Sequence, residues 1–149
     1  MVEYLETTVD KFTFRVATDR VYSREGVWAL AEGNRVRIGL SDFLQQRSGD
    51  VAFAEVRLIG THVARGDDLA TIETVKVNVS LASPVSGVVA EINPSLSHSP
   101  EAINQDPYGE GWLALRVPDD WPSDRSALLD PDAYFIQMRQ EAEEEARRE

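Results

Sequence analysis

The sequence predicts a mainly β fold, a compact sandwich or barrel, with two helices set into it. Three observations carry that expectation: short β-branched runs alternate apolar and polar residues, turn residues separate them, and only two stretches switch to helical spacing. In order, the strand runs are "KFTFRV" from Lys11, "RVRIG" from Arg35, "VAFAEVRLIG" from Val51, "TIETVKVNVSL" from Thr71, "SGVVAEI" from Ser86 and "WLALRV" from Trp112. Between them, "EGNR" and "RGDD" supply the Gly, Asn and Asp that tight hairpin turns demand. The first helix, "SDFLQQR", begins at Ser41, whose hydroxyl can cap a first-turn amide, and Gly49 closes it. The second opens with Asp130 as cap and Pro131 in the first turn, where a missing N–H costs nothing. Tyr134, Phe135 and Met138 fall at helical spacing and place its early part on the sheet. Beyond Gln140 the helix is polar all round, held by pairs such as Glu143 with Arg147 and Glu144 with Arg148, each worth about 0.3 kcal/mol. That end is expected to fray as a solvated tail.

A chain of 149 residues has the size of one ordinary domain and buries a sizeable core without cross-links. It contains no cysteine, which excludes disulfides, a thiolate nucleophile and Cys-containing zinc sites, and fits a cytoplasmic protein. No segment reads as a signal peptide or a membrane span, so neither secretion nor membrane insertion is expected. A formal net charge of −11 argues against non-specific nucleic-acid binding and for protein partners with basic faces, unless the acidity serves solubility alone. Catalytic machinery is missing as well. His62 and His98 show no metal-ligand spacing, no serine sits in a nucleophile elbow, and "GEG" at Gly109 to Gly111 lacks the context of a phosphate loop.

Lys76 stands out. Of the 15 basic residues only Lys11 and Lys76 are lysine, and Lys76 lies inside an apolar, β-branched run. Three readings of its amine are open: a solvent-facing strand residue, a desolvated Schiff-base amine, or a modification site consumed by acylation. The surroundings read as strand, lysine, strand, with Glu73 before the lysine and a turn at Pro84 to Gly87 after it. A lysine at a hairpin tip is presented with its backbone fixed, and Val75 and Val77 restrict the local conformation. Arginine could not replace it, because guanidinium is not acylated under these conditions.

Several separated motifs, in order, resemble those of the biotinyl and lipoyl carrier domains, and most of all those of the glycine cleavage H-protein family. They are "ETVKV" at Glu73 to Val77, "SPVSG" at Ser83 to Gly87, "EIN" at Glu91 to Asn93, "SPEAINQDPYGEGW" from Ser99 to Trp112, and "LLDPDAY" from Leu128 to Tyr134. Upstream, "RVRIGLSDFLQQRSGDVAF" is similar to the family's strand, helix and Gly-Asp segment. The resemblance implies a barrel-sandwich hybrid with peripheral helices, including a C-terminal one. It implies lipoic acid in amide linkage to Lys76, with Glu73, Val75 and Val77 as the motif around the attachment site. Biotin carriers typically flank their lysine with Met, so Val75 and Val77 favour lipoate. Implied partners are a lipoate ligase, dihydrolipoamide dehydrogenase and the enzymes between which the arm moves. The protein itself would carry the cofactor without catalysing. On this reading residues 1–21 are an N-terminal extension with one strand at Lys11 to Val16, either an added sheet edge or a structural extra. Residues 22–134 form the carrier domain, and 135–149 the end of the helix and an acidic tail.

One departure bears on the pathway. Where glycine-cleavage members read "HEW", with the Glu lining the groove that holds the aminomethylated arm, this chain reads "GVW" at Gly26 to Trp28, and only Glu25 is near enough to compensate. The missing Glu and the altered "ETVKV" favour a carrier of sulfur intermediates in oxidative sulfur metabolism, docking to a heterodisulfide-reductase-like complex. The alternatives are a glycine cleavage carrier serving glycine decarboxylase and the aminomethyltransferase, and an unmodified binding module.

Overall fold

The computed structural model describes residues 2–148, and in these the strands form three antiparallel sheets. The first is a hairpin of β1 (Tyr4–Val9) and β2 (Phe12–Ala17). The largest runs β3 (Val21–Tyr22), β4 (Val27–Glu32), β5 (Arg35–Leu40), β11 (Ala114–Pro118), β10 (Gly87–Ile92) and β7 (His62–Val63) in spatial order. The third places β8 (Asp68–Thr74) between β6 (Val51–Val56) and β9 (Asn78–Ala82). Around them lie α1 (Asp42–Ser48), α2 (Ala102–Gln105), α3 (Trp121–Ser126) and α4 (Pro131–Arg148).

Period-2 patterning closes the two larger sheets on one core. Val36, Ile38 and Leu40 of β5 point inward to the same cluster as Leu69 and Ile72 of β8, Leu81 of β9 and Val89 of β10. Each such side chain, fully buried, stabilises by roughly 1.5–3 kcal/mol before the ordering entropy is subtracted. The long run "TIETVKVNVSL" divides as its symmetry implies, into β8 and β9 with Lys76 between them. β4 escaped the alternation pattern because Val27, Trp28 and Ala29 are all buried, so the strand has no polar face there to alternate with.

A second cluster joins the outer face of the large sheet to the extension and to the helices. Trp28, Tyr22, Phe14, Val16, Phe43, Tyr134, Met138 and Ala142 form it. Tyr22 and Tyr134 stack with centroids 4.5 Å apart, and the Tyr22 hydroxyl donates to Ala17 O at 2.7 Å. Gly39 is required here, since a Cβ would overlap the Trp28 indole.

This cluster explains where the structure departs from expectation at both ends of the chain. The extension is a two-stranded hairpin, not one strand, and it forms a sheet of its own instead of adding an edge. The end of α4 does not fray after Gln140: Ala142 is buried, Glu145 pairs with Arg47 at 2.6 Å, and Glu144 lies 3.8 Å from Arg148. The hairpin and α1 provide the surface that a helix-only reading could not foresee. α2 and α3 are too short to show periodicity and were not expected.

Arg116 is fully buried on β11, where burial lowers its guanidinium to about 10 while Asp119 and Asp124 oppose the fall. It therefore stays charged at neutral pH and donates to Ser83 Oγ (2.7 Å), Val63 O (3.0 Å) and Gly87 O (2.8 Å). The bonds to Ser83 and Gly87 pin both ends of the "SPVSG" turn. Arg116→Leu removes all three hydrogen bonds from the core, leaving Ser83 Oγ only its contacts with Val85, and is expected to cost about 3 kcal/mol, read as a lower urea midpoint at unchanged slope. Arg116→Lys, whose donors all sit on one nitrogen where the guanidinium uses two, should recover only part of it.

Candidate functional site

Lys76 stands at the tip of the β8–β9 hairpin. Thr74 N donates to Val77 O at 2.9 Å and closes the turn. The Thr74 hydroxyl accepts from the amides of Lys76 (3.2 Å) and Val77 (3.0 Å) and donates to Ser48 O (2.7 Å), while Val75 N donates to Asp50 O (3.2 Å). These hydrogen bonds tie the tip to itself and to the chain at the end of α1. Lys76, Val75 and Val77 are all exposed, as the hairpin reading required.

Gly49 is the surface on which the lysine lies. Its φ of 95° ends α1, and a Cβ there would sit 3.3 Å from Lys76 Cδ and 3.4 Å from Cγ. The methylene stem therefore crosses a bare backbone, and any side chain at Gly49 would displace it. Asn104 fixes this segment: its Oδ1 accepts from Val51 N (2.8 Å), and its Nδ2 donates to Gly49 O (3.0 Å) and Gln45 Oε1 (3.0 Å). At the other end of α1, the Tyr108 hydroxyl donates to Arg15 O (2.7 Å) and accepts from Asp42 N (3.2 Å), and burial pushes that phenol up to about 12. Trp28 Nε1 donates to Pro107 O at 3.1 Å. The "NQDPYG" motif is thus a clamp on both ends of α1, and through α1 on the lysine.

Two grooves flank α1 beside the tip. The larger, about 870 Å³, has apolar walls from Leu44, Val77, Val79 and Leu81, with the carboxylates of Glu25 and Glu141 and the guanidinium of Arg24 also lining it. The smaller, about 430 Å³, is lined by Lys76 itself. Arg47 borders both, paired with Glu145 and lying over the Phe43 ring at 5.4 Å. Burial raises the Glu141 carboxyl above the usual range; Arg47 opposes this, and Glu145, Glu144 and Glu25 add to it.

The departure at "GVW" has a physical reason. Gly26 has φ 97°, and a Cβ there would meet the Tyr134 hydroxyl at 2.8 Å, where that hydroxyl bonds Ser41 Oγ (2.8 Å). Val27 is buried in the main core and could not be a carboxylate without a partner. Of the residues picked from sequence, the structure gathers Lys76, Val75 and Val77 at the tip, whereas Glu73 is exposed opposite Asn78 and lines neither groove. Gly49 closes α1 as its sequence implies, but its contact with the lysine stem, like the roles of Thr74 and Asn104, left no mark in the sequence although all three lie inside family-like motifs. Glu141 and Arg47 carried no signal at all. His62 bonds Asp119 at 2.6 Å on the surface, and the described residues contain no cluster of three metal-ligating side chains. A lysine with a clear path over Gly49 and, beside α1, grooves that combine apolar walls with charged rims fits an acyl-linked lipoyl arm.

The sequence model of the family described as "Glycine cleavage H-protein" matches residues 20–141. The glycine cleavage system H protein of Rubrobacter xylanophilus is 44% identical over 126 residues, covering 85% of this chain and 97% of that protein. One from Thermus thermophilus is 39% identical over 127 residues, covering 85% of this chain and 98% of the relative. The crystal structure of a glycine cleavage system H protein from Mycobacterium marinum superposes with a TM-score of 0.71 at 28% identity, covering 80% of this chain and 96% of that one. The chain therefore belongs to the glycine cleavage H-protein family, whose members carry a lipoyl group on a lysine and are not themselves catalysts.

Proposed function

We propose that Lys76 is the lipoylated lysine and that this chain serves glycine cleavage, carrying the aminomethyl group between glycine decarboxylase and the aminomethyltransferase. A lipoate ligase would load it and dihydrolipoamide dehydrogenase would reoxidise it. The observation that carries the reading is the larger groove beside the tip, with apolar walls for an arm and two carboxylates for a cationic cargo. When bound, the lipoyl group supplies the disulfide that takes up the aminomethyl cargo from glycine. The chain's own residues do the rest. Thr74, Gly49 and Asp50 fix the origin of the arm, so that it reaches partner sites at high effective concentration. Leu44, Val79 and Leu81 offer the arm a water-poor wall, and Glu25 with Glu141 pairs the ammonium.

The sulfur-carrier reading favoured from sequence, with its heterodisulfide-reductase-like partner, rested on the lost groove carboxylate and on the altered "ETVKV". Glu25 and Glu141 supply that charge from other positions, which removes the first of these reasons. The curated relatives, named as glycine cleavage system H proteins, support the alternative.

Co-expression with a lipoate ligase is expected to add the mass of one lipoyl group, and Lys76→Arg to abolish the gain, as read by intact mass spectrometry. The loaded protein should then support glycine–bicarbonate exchange with a decarboxylase; full lipoylation without exchange would sink the glycine-cleavage assignment. A pH dependence follows from Glu141. Its folded-state titration lies above that of an ordinary glutamate, so pairing with a cation is complete above that point and lost as pH falls through it. Aminomethyl release from the loaded protein should therefore accelerate on acidification, by roughly tenfold for one charged hydrogen bond lost. Glu141→Gln should show the fast rate throughout and no step.

A further inference from the structure

The smaller groove has a construction of its own. Phe12 and Phe14 of β2, Phe43 of α1 and Glu145 of α4 surround a space of about 430 Å³ whose remaining wall includes Lys76 and Arg47. Phe14 meets Phe43 edge-on at 5.2 Å and Phe12 at 6.4 Å, so the three rings form one continuous wall. Phe12 is 54% exposed, an unusual place for a phenylalanine on a hairpin whose partner strand could have buried it. Phe12, Phe14 and Glu145 all lie outside residues 20–141, the part the family model matches. The two ends of the chain, which pack on each other through Ala142 and Phe14, thus add an aromatic groove to the carrier body and open it at the carrier lysine.

We propose that this groove is a second resting site for the arm on Lys76, selective for its uncharged form. The occupant is this chain's own lipoyl group, and the inference rests on lipoylation of Lys76. Three features support it. The attachment residue is itself part of the wall, so an arm extended along the lysine stem enters the groove without a turn in the backbone. Aromatic rings suit methylenes and the soft sulfurs of a dithiolane, which make favourable contacts with ring edges. Charge sorts the two grooves: the larger has Glu25 and Glu141 against Arg24 and Arg47, whereas the smaller has a single carboxylate, Glu145, already paired with Arg47 at 2.6 Å, and Arg148 beside it, so a cation finds only the ring faces and positive charge there. An uncharged arm gains nothing from the carboxylates and leans on the rings; a charged one is drawn across Arg47 to the other side.

The test uses the full chain lipoylated with isotope-labelled lipoate and verified by intact mass. Isotope-filtered NOE spectra of the oxidised form should show arm methylenes in contact with ring protons of Phe12, Phe14 and Phe43. Phe12→Ser, at an exposed position, should keep the fold's amide spectrum, lose those contacts and sharpen the arm resonances. Reduction of the disulfide by a small phosphine, slowed severalfold in the parent relative to free lipoamide, should then approach the free rate. Contacts confined to Leu44, Val79 and Leu81 would place the uncharged arm in the larger groove and overturn the proposal. So would an arm as mobile as free lipoamide with no ring contacts. A chain that gains no lipoyl mass overturns the attachment reading and this proposal together, whereas mass gain without ring contacts overturns this proposal alone.

Discussion

The Thr74 hydroxyl, giving its proton to Ser48 O while accepting from the amides of Lys76 and Val77, is the contact on which the site depends. A two-stranded hairpin tip projecting into water would be free to twist and flex. One side-chain oxygen, using its donor and both lone pairs, ties this tip to the end of α1. The tip is then only as rigid as that helix end, which explains why so much of the chain converges on it. Gly49 ends α1 with a positive φ and leaves a bare track for the lysine stem. Asn104 spans Gln45, Gly49 and Val51 across three successive parts of the turn. Tyr108, four residues further on, holds the opposite end of the helix to the N-terminal hairpin.

That last bond links the carrier body to a part of the chain outside the family match. The hairpin of β1 and β2 shares no ladder with the other sheets, so its attachment is made by side chains. Phe14 and Val16 enter the cluster of Trp28 and Tyr134, and Arg15 O receives the Tyr108 hydroxyl. Arg20, stacked over Trp28 at 4.5 Å and Tyr108 at 5.2 Å, donates to Tyr108 O and packs the junction between hairpin and body. An extension held this way costs the body no sheet edge, yet it supplies the apolar surface that keeps the last turns of α4 folded.

The strands with one wet face were legible because alternation reports a half-buried strand directly, as for Val36, Ile38 and Leu40. β4 was not, since burial of consecutive residues leaves no period to read. Lys76 was legible from its rarity, its β-branched neighbours and the motif around it. The residues that hold it were harder: Thr74 and Asn104 act through hydrogen bonds to segments 26 and 53 to 59 positions away, and spacing along the chain carries no record of such pairings. The polar end of α4 misled for the same reason. Its own sequence offers weak i,i+4 pairs, and what orders it is a hairpin more than a hundred residues upstream.

The end of α4 also divides the two grooves. Glu141 and Glu145 stand one helical turn apart on the same face, the first in the carboxylate groove and the second in the aromatic one, with Arg47 between them. Arg47 keeps its pair with Glu145 at 2.6 Å and reaches Glu141 only through space, where Glu145, Glu144 and Glu25 oppose it, so the boundary between the grooves is a fixed ion pair beside a carboxylate unpaired among the described residues. The helical turn that sequence alone would assign to solvent therefore borders both grooves, and its order rests on residues that also line them: Arg47 through Glu145, and Phe14 through the cluster it shares with Ala142.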